Sequence, residues 1–128
     1  MRRIILLLPV LLITLSACNL DNSGYPRRMQ FGVNGGTREV RGSRATTNVT
    51  ICSIGGGKTL SNMDENRYGE YQDSFIMAYD WLEVKGKVLD GKLIVTVTPN
   101  TTGHKRELMI QGSEMDTPFY VTVKQAGQ

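Results

Sequence analysis

Apolar and polar residues alternate through most of the chain after residue 28, and this pattern predicts strands. The alternation is clearest in the segments "MQFGV", "NVTICSI", "KLIVTVTPN", "RELMIQG" and "PFYVTVKQ". A period of two places successive side chains on opposite faces of a strand, whereas an amphipathic helix repeats every three or four residues. Turn-forming stretches such as "NGG" and "NTTGHK" separate the segments. The chain is therefore predicted to be all-β, an antiparallel β-sandwich of about seven strands.

Two further segments refine this picture. "TREVRG" is short and charged, as is typical of a strand at the edge of a sheet. In "FIMAYDWLEVKG" the apolar parity changes around Asp80, which predicts a β-bulge or a corner. We expect Tyr79 and Trp81 in this segment to belong to the core.

The segment 55–74, "GGGKTLSNMDENRYGEYQDS", breaks the alternation and predicts a long loop. Loops of this length are uncommon in compact domains and are usually functional or mobile. Sugars bind to exposed aromatic faces flanked by amides, acids or arginine, so this loop offers the ligand-binding candidates Tyr68, Tyr71, Asp64, Asn66, Arg67 and Glu70. The competing interpretation is a polar loop kept in solution by its charges.

The start of the chain is typical of a bacterial lipoprotein signal. Arg2 and Arg3 precede an apolar run over residues 4–13, which is too short to span a bilayer. The following "LSAC" resembles the lipobox, in which the thiol of Cys18 receives a diacylglyceryl group. The sequence therefore predicts a signal peptide at 1–17, a flexible lipidated tether at 18–28 and a β-sandwich domain at 29–128.

Lipidation would make the protein's first partner a membrane. Each buried methylene contributes about 0.8 kcal/mol, so several acyl chains on one residue would hold a small protein on a bilayer. Asn19 follows the modified cysteine in place of the aspartate that favours inner-membrane retention, so the outer membrane is favoured. Whether the domain faces the periplasm or the outside stays open.

Net charge gives no support to a nucleic-acid-binding protein, and cysteine content excludes a protein with an internal disulfide. Without Arg2 and Arg3, 13 basic residues remain against 12 acidic ones, and the net charge falls from +3 to +1. A balance this close gives no support to nucleic-acid binding, which normally needs a clustered basic face. Cys52 would be the one unmodified cysteine, which excludes an internal disulfide, and its β-branched surroundings predict a buried, inert thiol.

The chain offers no catalytic or metal-binding constellation. His104 is the one histidine, and we expect it at the tip of a turn, without the partners that a triad or a zinc site requires. Counted from Asp64, the acidic loop places Tyr68 and Phe75 where a calcium loop needs an oxygen ligand and a glutamate. We therefore expect no catalytic residues, no metal, no cofactor and no enzymatic activity.

The second half of the chain resembles the end of a BACON domain, the Bacteroidetes-associated carbohydrate-binding often N-terminal module. The family pattern is a Trp-Leu strand, an alternating strand running into Asn, a turn, an Arg-led strand and a last strand closing on Gln and Gly. These places are held by Trp81, Leu82, Asn100, Arg106, Gln125 and Gly127. The resemblance covers about half of the chain that follows the signal peptide, and it implies an immunoglobulin-like sandwich of seven strands.

Three functions follow from these observations. The first is a lipid-anchored, non-catalytic accessory, spacer or interaction module of the cell envelope, linked to glycan utilisation through the resemblance. The second is a carbohydrate-binding module that uses the 55–74 loop. The third is a subunit of a surface complex that donates an edge strand such as "TREVRG" to an envelope protein.

Overall fold

The computed structural model describes residues 22–43, 45–46, 48–56, 58–62, 67–68, 74–88 and 90–128. These residues form ten strands: β1 (Arg28–Phe31), β2 (Gly36–Arg41), β3 (Asn48–Cys52), β4 (Thr59–Asn62), β5 (Arg67–Tyr68), β6 (Ser74–Tyr79), β7 (Leu82–Lys87), β8 (Lys92–Val97), β9 (Arg106–Glu114) and β10 (Thr117–Gln125). Ten strands form where about seven were predicted, because "FIMAYDWLEVKG" makes two strands and the 55–74 segment contributes β4 and β5. Among the described residues, no helix is long and apolar enough to cross a bilayer.

The strands form two five-stranded sheets, which confirms the predicted β-sandwich. Sheet one has the order β1-β10-β9-β3-β4 and sheet two the order β2-β8-β7-β6-β5. Neighbouring strands are antiparallel except for β1, which pairs with β10 in parallel. The charged strand β2 lies at an edge, as its sequence predicted.

The core lies between the sheets and follows the period-two pattern. Strands β8 and β10 show this most clearly, since every second residue is buried throughout β8 and from Phe119 onwards in β10. The fully buried apolar residues include Val49, Ile51, Phe75, Met77, Val84, Leu93, Val95, Ile110, Phe119, Val121 and Val123. Cys52 is also buried, as its sequence context predicted.

The parity change near Asp80 marks a hairpin turn. Tyr79 pairs with Leu82 across β6 and β7, so Asp80 and Trp81 form the turn, with Asp80 in the left-handed region at a φ of 56°. Trp81 is buried, as predicted for the core. The same expectation for Tyr79 was wrong, because this residue ends β6 beside the turn and its side chain is 41% exposed.

The folded part of the chain begins earlier than the sequence predicted. Asn22, Ser23 and Tyr25 are buried against the sandwich, although 18–28 was expected to be a flexible tether. The Asn22 side chain accepts the Tyr120 N–H at 2.9 Å and donates to the Tyr120 carbonyl at 2.8 Å, and so substitutes for a strand beside β10. The Tyr25 ring stacks on Phe119 with centroids 4.3 Å apart.

The sandwich has two distinct ends. The N-terminal end, where the described chain starts, contains Asn22, Tyr25, Gly42 and the β9–β10 turn that follows Glu114. The opposite, C-terminal end contains the β6–β7 and β8–β9 turns and the last residues of the chain. Strand β10 connects the two ends, and its nine residues span about 30 Å.

Candidate binding surfaces

Most of the predicted ligand-binding residues lie outside the described residues. This applies to Asp64, Asn66, Glu70 and Tyr71, and also to the lipidation candidate Cys18. The remaining two, Arg67 and Tyr68, form β5, where they pair with Phe75 and Ser74 at an edge of sheet two. The proposal that these six residues form one site therefore stays a prediction.

His104 lies in the exposed turn between β8 and β9, as its sequence context predicted. Its carbonyl accepts bonds from the Asn100 side chain at 2.8 Å and from the Thr102 hydroxyl at 3.2 Å. Gly103 adopts a φ of 79°, a conformation that glycine favours. No group of three or more His, Cys, Asp or Glu side chains within the described ranges could hold a metal ion.

Gln125 is the centre of a hydrogen-bond network that closes the C-terminal end. Its Nε2 donates to the carbonyls of Thr98 at 2.8 Å, Gly32 at 3.1 Å and Val33 at 3.3 Å. Its Oε1 accepts a bond from Arg106 Nε at 2.7 Å. One buried amide thus joins the β1–β2 turn, the end of β8 and the start of β9.

Asn100 and Gly127 complete this network. Asn100 Nδ2 donates to the Ala126 carbonyl at 3.0 Å, and its Oδ1 accepts the Thr102 N–H at 3.0 Å, so the buried side chain ties the turn to the end of the chain. Gly127 packs directly on the turn backbone, since an added Cβ would lie 2.1 Å from the His104 carbonyl carbon. Only glycine fits this approach without a shift of the backbone.

Arg106 covers Trp81 at the same end of the sandwich. The guanidinium carbon lies 4.9 Å from the centre of the indole ring, a distance that allows a cation–π interaction. Arg106 Nη2 also donates to the carbonyls of Thr98 and Pro99, both at 3.3 Å. The residues that carry the BACON resemblance are therefore brought together by the fold, and their contacts lie within the sandwich.

Tyr120 is an exposed aromatic residue on the outer face of sheet one. It alternates with the buried Phe119 and Val121, and its side chain is 44% exposed. Gln111 on β9 lies opposite Tyr120, and Thr50 on β3 lies opposite Gln111. An aromatic ring, an amide and a hydroxyl thus form one row across three strands, with neighbouring Cβ atoms about 5 Å apart.

Two members of this row, Tyr120 and Gln111, are held by hydrogen bonds from other parts of the fold. Asn22 bonds both the N–H and the carbonyl of Tyr120, and Gln111 Oε1 lies 3.5 Å from the Cys52 thiol, which donates to it. Sequence analysis missed Tyr120 because its alternation with Phe119 and Val121 shows only that it faces outward. The bonds that hold the Tyr120 backbone come from Asn22, which is 98 residues away in the chain.

A shallow cavity of about 300 Å³ continues the same face towards the C-terminal end. Its lining includes Gln30, Lys124 and Glu107, which form the next-to-last register row before that end, together with Lys105 and Arg106. Lys124 Nζ lies 3.7 Å from Glu107 Oε2. We call the surface from the Tyr120 row to this cavity the sheet-one face. It combines an aromatic platform with a polar, predominantly cationic recess.

The pKa values of Cys52 and Tyr25 are raised by burial. Burial raises the pKa of the Cys52 thiol, which favours its neutral, unreactive form. Burial also raises the pKa of Tyr25, with smaller effects from the negative charges of Glu114 and Asp90, whereas its bond to Thr46 opposes the shift. Neither shift creates a nucleophile or a general base at neutral pH.

No family model and no curated protein matches the chain. Among solved structures, the chain is similar to a protein from Bacteroides thetaiotaomicron whose structure was determined by NMR, with a TM-score of 0.51 and 18% identity over 81% of this chain and 83% of that one. A Bacteroides ovatus GH5 xyloglucanase in complex with a XXXG heptasaccharide gives a TM-score of 0.44 and 15% identity over 78% of this chain and 17% of that one. At 18% identity, the first likeness shows the fold alone, and the BACON resemblance stays a prediction.

Proposed function

We propose that the protein is a lipid-anchored, non-catalytic binding module of the cell envelope, attached to the outer membrane through Cys18. The anchor is proposed from the lipobox-like sequence that ends at Cys18, and the observation that carries the role of a non-catalytic module is the network at the C-terminal end. Arg106, Asn100 and Gln125 direct their polar atoms at backbone and side-chain groups of the sandwich itself. Because these polar atoms bond within the sandwich, the residues stabilise the fold and are not available to bind a partner. A partner would then bind to the outer surfaces of the module.

The anchor is tested by metabolic labelling of the full chain with a radioactive fatty acid in a bacterial host. We expect the wild type to take up label and Cys18→Ala to take up none, because the thiol is the acyl acceptor in a lipobox. Cys52→Ala is the matched control, since it removes the other cysteine and should leave labelling unchanged. Label retained by Cys18→Ala, or a wild type without label, would contradict the anchor.

A second candidate function is glycan binding, and the sheet-one face favours it. The exposed ring of Tyr120 offers an apolar surface on which the CH groups of a sugar can pack. Gln111 and Thr50 extend this row with amide and hydroxyl groups, and the adjoining cavity adds hydrogen-bond donors. Because β-strands hold the row, a ligand would meet a platform that is already in place.

Glycan binding is tested with the mature lipoprotein purified in detergent, on a glycan array and in pull-downs with cellulose and xylan. We expect Tyr120→Ala to abolish retention on any glycan that the wild type binds, without a change in thermal stability. Tyr79→Ala is the matched control, because Tyr79 is similarly exposed but belongs to sheet two. If Tyr68→Ala and Tyr71→Ala abolish retention instead, the site lies in the 55–74 loop. No retention by the wild type would remove this second function.

A further inference from the structure

The lipid-bearing residue and the folded domain are close together in the chain. Asn22 is already buried and bonded to Tyr120, and residues 19–21 alone separate it from Cys18. Even fully extended, the chain from Cys18 to Asn22 spans no more than about 14 Å. The headgroup layer of a bilayer takes up about 5–8 Å of this distance. An acylated Cys18 would therefore hold Asn22 within several ångströms of the membrane surface.

Asn22 lies at the same end of the sandwich as the β9–β10 turn. The Ser23 carbonyl accepts bonds from the Ser43 N–H at 2.8 Å and the Ser43 hydroxyl at 3.1 Å. The Ser43 hydroxyl also lies 3.4 Å from Glu114 Oε1, and Glu114 is the last residue of β9. Ser43 thus connects the start of the described chain to the base of the turn, so both lie on the N-terminal end.

The tip of this turn is an exposed apolar residue in an unusual conformation. Glu114 pairs with Thr117, which leaves Met115 and Asp116 as a two-residue turn. Met115 has a φ of 58°, a region that glycine or asparagine normally occupies in such turns, and its side chain is 63% exposed. A flexible apolar side chain at the tip of a turn is suited to the boundary between headgroups and acyl chains.

We propose that the N-terminal end of the sandwich rests on the bilayer that holds the protein's own lipid anchor, with Met115 in contact with the headgroup layer. The inference depends on the proposed acylation of Cys18. The short connection restricts the domain to orientations in which this end faces the membrane. The C-terminal end, with His104 and Gly127, then stands about 30 Å above it, and the sheet-one face rises from the surface.

The orientation is tested with fluorescent maleimide labels on the full lipoprotein in phosphatidylethanolamine–phosphatidylglycerol vesicles that contain headgroup-bound quencher. Labels are attached to Met115→Cys at the β9–β10 turn, Thr101→Cys at the C-terminal end and Thr122→Cys on the sheet-one face. The parent protein is the control, since the acylated Cys18 and the buried Cys52 should both be unreactive. We expect the label at Met115 to lose most of its emission and the label at Thr101 to keep it.

The outcomes separate this inference from the anchor on which it rests. A parent protein that itself takes up maleimide at residue 18 has a free thiol, and both proposals then fail. If the parent is unreactive and membrane-bound but the label at Met115 is not quenched, the orientation alone is wrong. The same conclusion follows if the label at Thr101 or Thr122 is quenched more strongly than the label at Met115. A flexible insertion of Gly and Ser between Asn19 and Leu20 should restore emission at Met115, because it lengthens the connection.

Discussion

The two ends of the sandwich are closed by different means. At the C-terminal end, the side chains of Gln125 and Asn100 bond to backbone carbonyls from several turns. At the N-terminal end, the chain itself folds back, with Asn22 beside β10 and Tyr25 against Phe119. The first arrangement joins the end of β10 to the β1–β2 and β8–β9 turns, whereas the second depends on a segment that comes before the first strand.

The two ends therefore differ in how much they depend on the chain before the first strand. The C-terminal network does not depend on how the chain is attached at residue 18. The N-terminal contacts begin at Asn22, so a force on the proposed lipid anchor would reach them first. The comparison therefore predicts that the C-terminal end limits global stability, and that the N-terminal end can open locally while the strands remain paired.

The largest effect is expected for Gln125→Ala. The substitution removes the four hydrogen bonds of the Gln125 side chain, whereas the three carbonyls and Arg106 each keep another bond. At a net contribution of about 0.5–1.5 kcal/mol per bond, we expect a loss of about 3 kcal/mol. Urea unfolding followed by tryptophan fluorescence measures the change, since Trp81 lies under Arg106. Gln128→Ala, at the exposed end of the chain, should have no effect. Equal midpoints for both variants would contradict a supporting role for the network.

A smaller effect is expected for Asn22→Ala. The variant loses the two bonds to the Tyr120 backbone and those to the Tyr25 and Pro26 carbonyls, part of which water can replace, so we expect a loss of about 2 kcal/mol. Hydrogen exchange gives a sharper measurement, because the Tyr120 N–H should exchange much faster while the Val121 N–H within β10 stays protected. Asn34→Ala, at an exposed amide in the β1–β2 turn, is the control. Faster exchange throughout β10 would show that the two ends unfold together.

The C-terminal half was predictable from the sequence for physical reasons. The alternation in "KLIVTVTPN" and "PFYVTVKQ" follows from the geometry of strands that are buried on one face, and the structure buries Leu93, Val95 and Val121 accordingly. The BACON resemblance also singled out Arg106 and Gln125. It could not show that their side chains meet, because that contact depends on the pairing of β9 with β10 in the folded state.

The N-terminal end was not predictable by the same means. Asn22 and Ser23 are polar turn-forming residues in a segment without periodicity, so local sequence favoured a flexible tether. Their partners, Tyr120 and Ser43, are distant in the chain and have no pattern that marks them. The sheet-one face was missed for a related reason, because an outward-facing Tyr120 has the same local pattern as any solvated strand residue.

The smallest effect is a loss of stability at alkaline pH that originates at the N-terminal end. Burial raises the pKa of Tyr25 above its ordinary value of 10.0, so the unfolded chain loses this proton at a lower pH than the folded protein does. Between the two values the unfolded state binds fewer protons, and the free energy of unfolding falls as the pH rises above 10.0. Tyr25→Phe keeps the ring on Phe119 but loses the Thr46 bond, so it should be less stable by about 1 kcal/mol at neutral pH.

The pH dependence of Tyr25→Phe tests whether this loss belongs to the N-terminal end. Cys52 contributes a separate decline that starts near its ordinary value of 9.0, because burial raises the pKa of its thiol as well. Urea midpoints of the wild type should therefore begin to fall near pH 9.0 and fall more steeply above 10.0. Tyr25→Phe should lose the steeper fall above 10.0, and Cys52→Ala should lose the fall that begins near 9.0. A steeper fall above 10.0 that persists in Tyr25→Phe would show that other groups control alkaline unfolding, because this variant lacks the titrating hydroxyl.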